Sequence, residues 1–190
     1  MWLKLIKERF TEGLTTRIKL PSLAQIYPVY AIIVMLVYGW TIYWALWKLP
    51  SWLDFLPLGE IGAIFSYLMV TNLIESFLVL LGVIVVSFLL PRKWFCDVFV
   101  SRGSVFAATI LISIMIFESH FNKPAVYFNT FPLYLPLIIL LAAVLAFFAG
   151  WIRIVRKAVE VLAENAVIFL FISLPVSLLS AVVVVVRNLL

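Results

Sequence analysis

Long uncharged apolar runs alternate with short charged connections along the whole chain. Each run is unbroken and lacks the strict alternation of polar and apolar positions that marks a half-buried strand. A helix needs about 20 apolar residues to cross the hydrocarbon core of a bilayer. The pattern therefore predicts an all-α integral membrane protein with five transmembrane helices. The expected spans are residues 26–47, 64–90, 103–121, 131–151 and 166–186.

The composition supports a membrane environment and a single membrane domain. Hydrophobic residues make up 66% of the 190 positions and charged residues only 12%, which is unusual for a soluble domain of this size. No connection between the runs is long enough to fold separately, so residues 21–190 are expected to form one five-helix transmembrane domain. Cys96 and His120 are each the only residue of their type. One chain therefore cannot form an intramolecular disulfide or a two-histidine metal site.

The first 20 residues are predicted to lie on the membrane surface. Apolar side chains recur there at three- and four-residue spacing with charged residues between them, which is typical of an amphipathic helix in the membrane interface. We therefore expect an interfacial helix over residues 1–20, and a solvated tail is the alternative. The apolar positions are Trp2, Leu3, Ile6, Phe10, Leu14 and Ile18.

Lysine and arginine are distributed unevenly over the connections, and this predicts the orientation of the spans. Eleven of the fourteen basic residues fall in the N-terminal segment, the second connection and the fourth connection. The other three are Lys48, Lys123 and Arg187. Basic residues accumulate on the cytoplasmic side of membrane proteins. We therefore expect a multi-pass protein of the cell inner membrane, with a cytoplasmic N-terminus and the C-terminus outside.

Two segments beside the spans have a character of their own. Residues 151–165 carry an apolar and a charged face at helical spacing, and we expect them to extend the fourth helix into the cytoplasm. Residues 50–57 are apolar for a connection, and we expect a loop that lies in the membrane interface. Pro175 lies within the fifth span and is expected to bend it, because proline removes one backbone hydrogen bond.

Aromatic side chains cluster on one face of the first span. Trp40, Tyr43, Trp44 and Trp47 recur at three- and four-residue spacing near its outer end. Amphipathic rings are enriched where membrane meets water, so the cluster is typical of an outer aromatic belt. A stacking surface for a ligand ring and a contact with another protein are the alternatives.

Small residues recur every four positions on the fourth and fifth spans. Such faces let helix backbones approach closely, which is how helices associate in lipid. We expect the two faces to meet inside one subunit, and contact with a second subunit is the alternative. The residues are Ala142, Ala146 and Gly150 in the fourth span and Ser173, Ser177 and Ala181 in the fifth.

Polar residues near the outer ends of the second and third spans form a candidate site. Glu75 lies 17 residues from Arg92, and Glu118 lies 16 residues from Arg102. At about 1.5 Å of rise per residue, both carboxyl groups are expected at a similar height near the outer interface. A carboxylate is costly in lipid, so it should be protonated, paired or turned toward protein. The candidate outer-leaflet site comprises Asn72, Glu75, Glu118 and His120, with Lys123 as a further candidate, and simple contact with headgroups and water is the alternative.

The sequence favours a structural role in a membrane assembly over catalysis. It has no HExxH motif, no Gly-x-Ser-x-Gly motif and no acidic pair with metal-ligand spacing, so we expect no catalytic residues, no metal and no cofactor. No compact basic domain is present, so we expect no nucleic-acid partner. We expect a non-catalytic subunit or scaffold that packs in the bilayer with other integral membrane subunits or with copies of itself. A small oligomeric channel or transporter that uses the site around Glu75, Glu118 and His120 is the alternative.

Overall fold

Five long helices make up the part of the protein that the structure describes. The structure is a computed structural model that covers residues 21–90, 95, 98–120 and 124–189, without the side chains of residues 124–129. The helices are α1 (Leu23–Phe55), α2 (Leu58–Leu89), α3 (Phe99–His120), α4 (Pro124–Trp151) and α5 (Arg153–Leu189). All five are long and apolar enough to span a membrane, which confirms the predicted all-helical class and the number of helices that could be spans. The interfacial helix expected over residues 1–20 lies outside the described residues.

Side-chain contacts show that successive helices run in opposite directions. The contacts between α1 and α2 join higher residue numbers of α1 to lower residue numbers of α2, so these two helices are antiparallel. Helices α1 and α3 run parallel, because their contacts join residue numbers that rise together. The α1–α2 connection and the C-terminal ends of α3 and α5 therefore lie together, at what we call the α1–α2 end of the bundle. The contacts are Tyr30–Ser76 and Trp52–Phe65 for α1 and α2, Val29–Gly103 and Trp40–Glu118 for α1 and α3, Ser101–Ala149 and Phe117–Tyr134 for α3 and α4, and Tyr38–Ser177 and Tyr67–Asn188 for α5.

The core of the bundle is built around α1. Its residues 29–34 are buried at six consecutive positions, and six residues cover every side of a helix with 3.6 residues per turn. Helices α2, α3 and α5 pack around it, and α4 packs mainly against α3. Helices α2, α4 and α5 keep long apolar faces on the outside of the bundle. Apolar outer faces are what hydrocarbon requires, since lipid offers no hydrogen-bond partners.

The first two helices are longer than the sequence pattern predicts. Residues 50–55 were expected in an interfacial loop, but α1 continues through Pro50 to Phe55. Proline removes only one hydrogen bond of the ladder, and the following turn keeps its own, with Leu56 N–H donating to Trp52 O at 2.8 Å. Pro57 then forces the preceding residue into an extended conformation, which ends the helix. The connection is therefore only Leu56 and Pro57.

The amphipathic stretch after the fourth span belongs to the fifth helix. Residues 153–165 open α5, whereas α4 ends at Trp151, so the expected extension of the fourth helix is wrong. The break is a one-residue bend at Ile152. It follows Gly150, whose helix propensity is about 1 kcal/mol below that of alanine. Helix α5 continues through Pro175, and the bend expected at this residue stays a prediction.

The small-residue face of α4 packs against α3. Ala142 and Ala146 are buried, and Gly150 is half-buried. Beside them, the Ser101 hydroxyl donates to the Ala149 carbonyl oxygen at 3.3 Å. A Cβ added at Gly150 would overlap the guanidinium of Arg102, so a larger residue there would require this flexible side chain to move.

The small-residue face of α5 contacts α1. Ser173 and Ser177 are buried and Ala181 is half-buried. The Ser177 hydroxyl shares a 2.7 Å hydrogen bond with the Tyr38 hydroxyl of α1. The two small-residue faces therefore pack mainly against different helices, because α4 lies chiefly on α3 while α5 lies on α1 and α2. The expected direct pairing of the two faces is not the principal packing.

Candidate functional site

A cavity of about 410 Å³ opens between α1, α2 and α3 near the α1–α2 end. We call it the polar cavity. Three of the four residues of the predicted outer-leaflet site line it, namely Asn72, Glu75 and Glu118. The antiparallel course of α2 and α3 brings them to the same level, as their distances from Arg92 and Arg102 along the chain suggested.

Helix α1 forms the wall of the polar cavity that the sequence did not predict. Trp40, Thr41, Trp44 and Lys48 line it, and their spacing places them on one side of a helix. The rings of Trp40 and Trp44 meet edge to face, with centroids 5.9 Å apart, a favoured arrangement for aromatic pairs. The wall is thus an aromatic surface that also carries two polar side chains.

Two hydrogen bonds join the three walls. The Thr41 hydroxyl donates to Asn72 Oδ1 at 2.8 Å, which joins α1 to α2. The Trp40 Nε1–H donates to Glu118 Oε2 at 3.3 Å, which joins α1 to α3. These contacts hold the amide of Asn72 and the carboxyl group of Glu118 in place, so the cavity has a defined polar lining.

Two hydrogen-bond donors in the lining have no partner among the described residues. Asn72 is only 2% exposed, and its Nδ2 makes no hydrogen bond while its Oδ1 is occupied by Thr41. The Nε1 of Trp44 is likewise buried without a partner. Leaving a buried donor unsatisfied costs about 1–3 kcal/mol. Both nitrogen atoms are buried within the walls, so the open space of the cavity does not expose them.

The charged groups of the polar cavity are of both signs. Glu75 and Glu118 present carboxyl groups on exposed positions of α2 and α3. Lys48 lies nearer the end of α1 and is also exposed. The distance along α1 from Thr41 to Lys48 is seven residues, about 10 Å of helix. Glu75 and Glu118 are therefore separated from Lys48 along the axis of the bundle, and Lys48 lies nearer the α1–α2 end.

His120 does not join the polar cavity. It lies in a separate groove of about 360 Å³ between α3 and α4, where it is accompanied by Phe117 and Tyr134. Two residues along a helix correspond to a rotation of about 200°, so Glu118 and His120 point to opposite sides of α3. Lys123, the further candidate, lies outside the described residues.

The aromatic face of the first span divides between two environments. Trp40 and Trp44 are half-buried and line the polar cavity. Tyr43 and Trp47 are 61% and 68% exposed on the outside of the bundle. The outer pair fits an aromatic belt, and the inner pair fits a ligand surface. Both interpretations of this face stay predictions, and the four-residue repeat of Trp40, Trp44 and Lys48 is the sequence signal for the inner pair.

The chemistry of the polar cavity is the basis for interpreting the site. In the part of the chain that the structure describes, no three His, Cys, Asp or Glu side chains come together in a metal-binding arrangement. Comparison of the chain with protein families, with characterised proteins and with solved structures finds no match.

Proposed function

We propose that this chain is a non-catalytic, multi-pass subunit or scaffold of a larger membrane assembly. The observation that carries the proposal is a groove of about 630 Å³ between α2 and α5 at the α1–α2 end. Its floor contains the small residues Gly59, Gly62, Ala63 and Ser66. We call it the α2–α5 groove.

The glycines of the α2–α5 groove face open space. A Cβ added at Gly59 or at Gly62 would meet no atom within 4 Å, so the chain's own packing does not require glycine there. Glycine in a helix costs about 0.5–1 kcal/mol relative to alanine. Small residues allow close approach of a second backbone, which drives association of helices in lipid. A helix of a partner subunit in this groove would use the room that both glycines leave.

A bulky residue in the groove tests the proposal without disturbing the fold. Gly62→Leu should displace the partner and leave the subunit intact. Gly82→Leu is the matched control, since Gly82 lies on the same helix, also faces open space and does not line the groove. Both variants should be purified from native membranes in mild detergent, and their mass and partner content should be measured.

The expected result is a complex of fixed stoichiometry for the wild type and for Gly82→Leu, and a lighter species for Gly62→Leu. The partner is either a different membrane subunit or a second copy of this chain, and the mass distinguishes them. A monomeric wild type would overturn the proposal. Equal partner content in all three proteins would show that the groove is not the contact surface.

We also propose that the chain lies in the cell inner membrane with its N-terminus in the cytoplasm and its C-terminus outside. Supporting this orientation, α3 and α4 contact each other near Arg102 and Gly150, so the basic groups that follow in α5 begin at the same end as Arg102. Basic residues favour the cytoplasmic side. Reporter fusions after residue 160 and at residue 190 should report opposite sides, and reports from one side would contradict five spans.

The polar cavity favours a second candidate function, a small oligomeric channel or transporter. A transport site in a membrane requires polar groups that replace the hydration of the cargo, and Asn72, Glu75 and Glu118 offer such groups. The purified chain should then conduct ions or accumulate a solute after reconstitution, and Glu75→Gln should reduce the rate. Heteromeric purification without any transport would leave the subunit proposal as the better account.

A further inference from the structure

The α2–α5 groove carries one acidic and one basic side chain besides its small residues. Glu60 lines the groove from α2, and Arg187 lines it from α5. Both side chains are exposed, and neither forms an ion pair or a hydrogen bond with a residue that the structure describes. The groove therefore offers a partner two charges of opposite sign, one on each wall.

Both charges lie close to the same end of the bundle. Glu60 is the third residue of α2, which begins at Leu58, and Arg187 lies two residues before Leu189, where α5 ends. The beginning of α2 and the end of α5 both lie at the α1–α2 end. Long charged side chains near the end of a span reach the headgroup region, so Glu60 and Arg187 can pair there with groups of a neighbouring protein.

A second copy of the chain has the charges that match this arrangement. Two copies that are inserted the same way in one bilayer are related by a twofold axis along the membrane normal, so each residue keeps its height. In such a symmetric contact, residue i of one copy meets residue j of the other, and j meets i. An acid and a base on opposite walls of the groove thus form two ion pairs between the copies.

The small residues of the groove let the two copies of α2 approach each other. Gly59 and Ala63 are four residues apart, and so are Gly62 and Ser66. Small residues at this spacing allow close contact between two helix backbones in lipid. The room above both glycines is open within the chain itself, so it is available to the α2 helix of another copy.

We propose that the partner in the α2–α5 groove is a second copy of this chain. Each α2 lies in the groove of the other copy, with its glycines near the twofold axis, and Glu60 pairs with Arg187 of the other copy. The inference rests on the proposed function, since it names the partner at the same groove. A different subunit would have to supply its own acid and base at matching heights, whereas symmetry supplies both in a homodimer.

Single cysteines test whether the same residue of two copies meets at the groove. Gly59→Cys and Gly62→Cys are introduced separately into a Cys96→Ser chain, because Cys96 is the only native cysteine. A disulfide joins two copies only where their Cα atoms come within about 7 Å of each other. Oxidation in native membranes should therefore give about tenfold more covalent dimer for each groove variant than for Gly82→Cys. Gly82 is the matched control, since it lies on the same helix, faces open space and does not line the groove.

Reversal of the two charges tests the ion pairs. Glu60→Arg alone and Arg187→Glu alone bring like charges together between the copies, and each should weaken self-association about tenfold. The combined variant restores opposite charges and should associate within about threefold of the wild type. Self-association is measured in a maltoside detergent by energy transfer between two populations of the full chain with different N-terminal fluorescent fusions. Glu164→Arg, at an exposed position toward the other end of α5, is the control and should associate like the wild type, and thermal unfolding checks that every variant is folded.

The outcomes separate this inference from the proposed function. A complex that holds one copy of this chain with different subunits would overturn the inference and leave the proposed function standing, whereas a monomeric wild type would overturn both. Equal cross-linking of the Gly59→Cys and Gly82→Cys variants would show collision of chains without a specific contact at the groove. A folded combined variant that associates as weakly as Glu60→Arg would show that Glu60 and Arg187 do not pair between copies.

Discussion

The middle of the bundle and the polar cavity use polar side chains in opposite ways. In the middle, Tyr38 and Ser177 share a buried 2.7 Å hydrogen bond, and Tyr30 and Ser76 share one of 3.2 Å. One turn of α1 beyond Tyr38, Thr41 satisfies only one end of the Asn72 amide, and the other end has no partner among the described residues. Helices α1 and α2 thus carry both a satisfied pair, Tyr30 with Ser76, and the unsatisfied amide of Asn72.

This difference separates the contacts that stabilise the bundle from the polar cavity, whose lining is only partly hydrogen-bonded. Hydroxyl pairs between helices contribute on average about 0.6 kcal/mol in membrane proteins, and they also exclude other arrangements because each partner is specific. An unsatisfied buried amide opposes stability. Changes in the middle should therefore lower the free energy of unfolding, whereas changes in the polar cavity should leave it nearly unaltered.

The largest expected loss of stability comes from Ser177→Leu. Ser177 is fully buried, so leucine overpacks the contact between α5 and α1 and also removes the partner of Tyr38. We expect the free energy of unfolding to fall by about 3 kcal/mol, measured by titration with sodium dodecyl sulfate in mixed micelles. Ser119→Leu, at an exposed serine of α3, is the control and should stay near the wild type. A wild-type value for Ser177→Leu would mean that this face does not hold the bundle together.

A somewhat smaller loss is expected from Ala146→Leu. Ala146 is 3% exposed on the face of α4 that packs against α3, and a larger side chain separates the two backbones. The expected loss is about 2 kcal/mol in the same titration. Ala143→Leu provides the matched control, because Ala143 lies on the same helix and is exposed. Equal stability of the two variants would contradict the packing of α4 described above.

Tyr38→Phe should have a modest effect. It keeps the ring and removes only the hydroxyl that bonds Ser177. We expect a loss of about 1 kcal/mol. Tyr43→Phe removes a hydroxyl from an exposed tyrosine of the same helix and should be silent. If both substitutions lower stability equally, the buried hydrogen bond is not the cause.

The smallest effect on stability is expected from Asn72→Leu in the polar cavity. The substitution removes the bond to Thr41, but it also removes the unsatisfied Nδ2, and the cavity offers room for the larger side chain. The two contributions should nearly cancel, so we expect a change within about 0.5 kcal/mol. A loss as large as that of Ser177→Leu would show that Asn72 is a structural residue of the middle and would erase the contrast between the two regions.

The sequence predicted the number of helices but not where all of them end. Unbroken apolar runs are sufficient to identify spans, because hydrocarbon tolerates few charges. They do not mark a helix end, so α1 continues through Pro50, and residues 153–165 open α5. Helix ends depend on single backbone events, here the restriction of Leu56 by Pro57 and the bend at Ile152.

The sequence could predict the height of the candidate-site residues along the bundle, but not which neighbouring helix each of them faces. The rise along a helix gives the height of a residue, and this brought Asn72, Glu75 and Glu118 to one level. The rotation about the helix decides which neighbour a residue meets, and it separates His120 from Glu118. The sequence named Trp40 and Trp44 as a possible ligand surface, but it did not join them to Asn72 and Glu118. The contacts that do so link residues about 30 and 80 positions apart, as in Thr41–Asn72 and Trp40–Glu118. Such contacts follow from tertiary packing and not from local pattern.

The uninterrupted course of α5 makes the charged start of that helix and the centre of the bundle one mechanical unit. Its 37 residues correspond to about 55 Å of helix, well beyond the roughly 30 Å of a hydrocarbon core. A force applied near Arg156 is therefore transmitted through the continuous backbone of α5 to the contact between Ser177 and Tyr38. Pro175 lacks the N–H that would hold the carbonyl four residues earlier. Helix α5 is therefore most easily bent at that turn, which lies next to the contact between Ser177 and Tyr38.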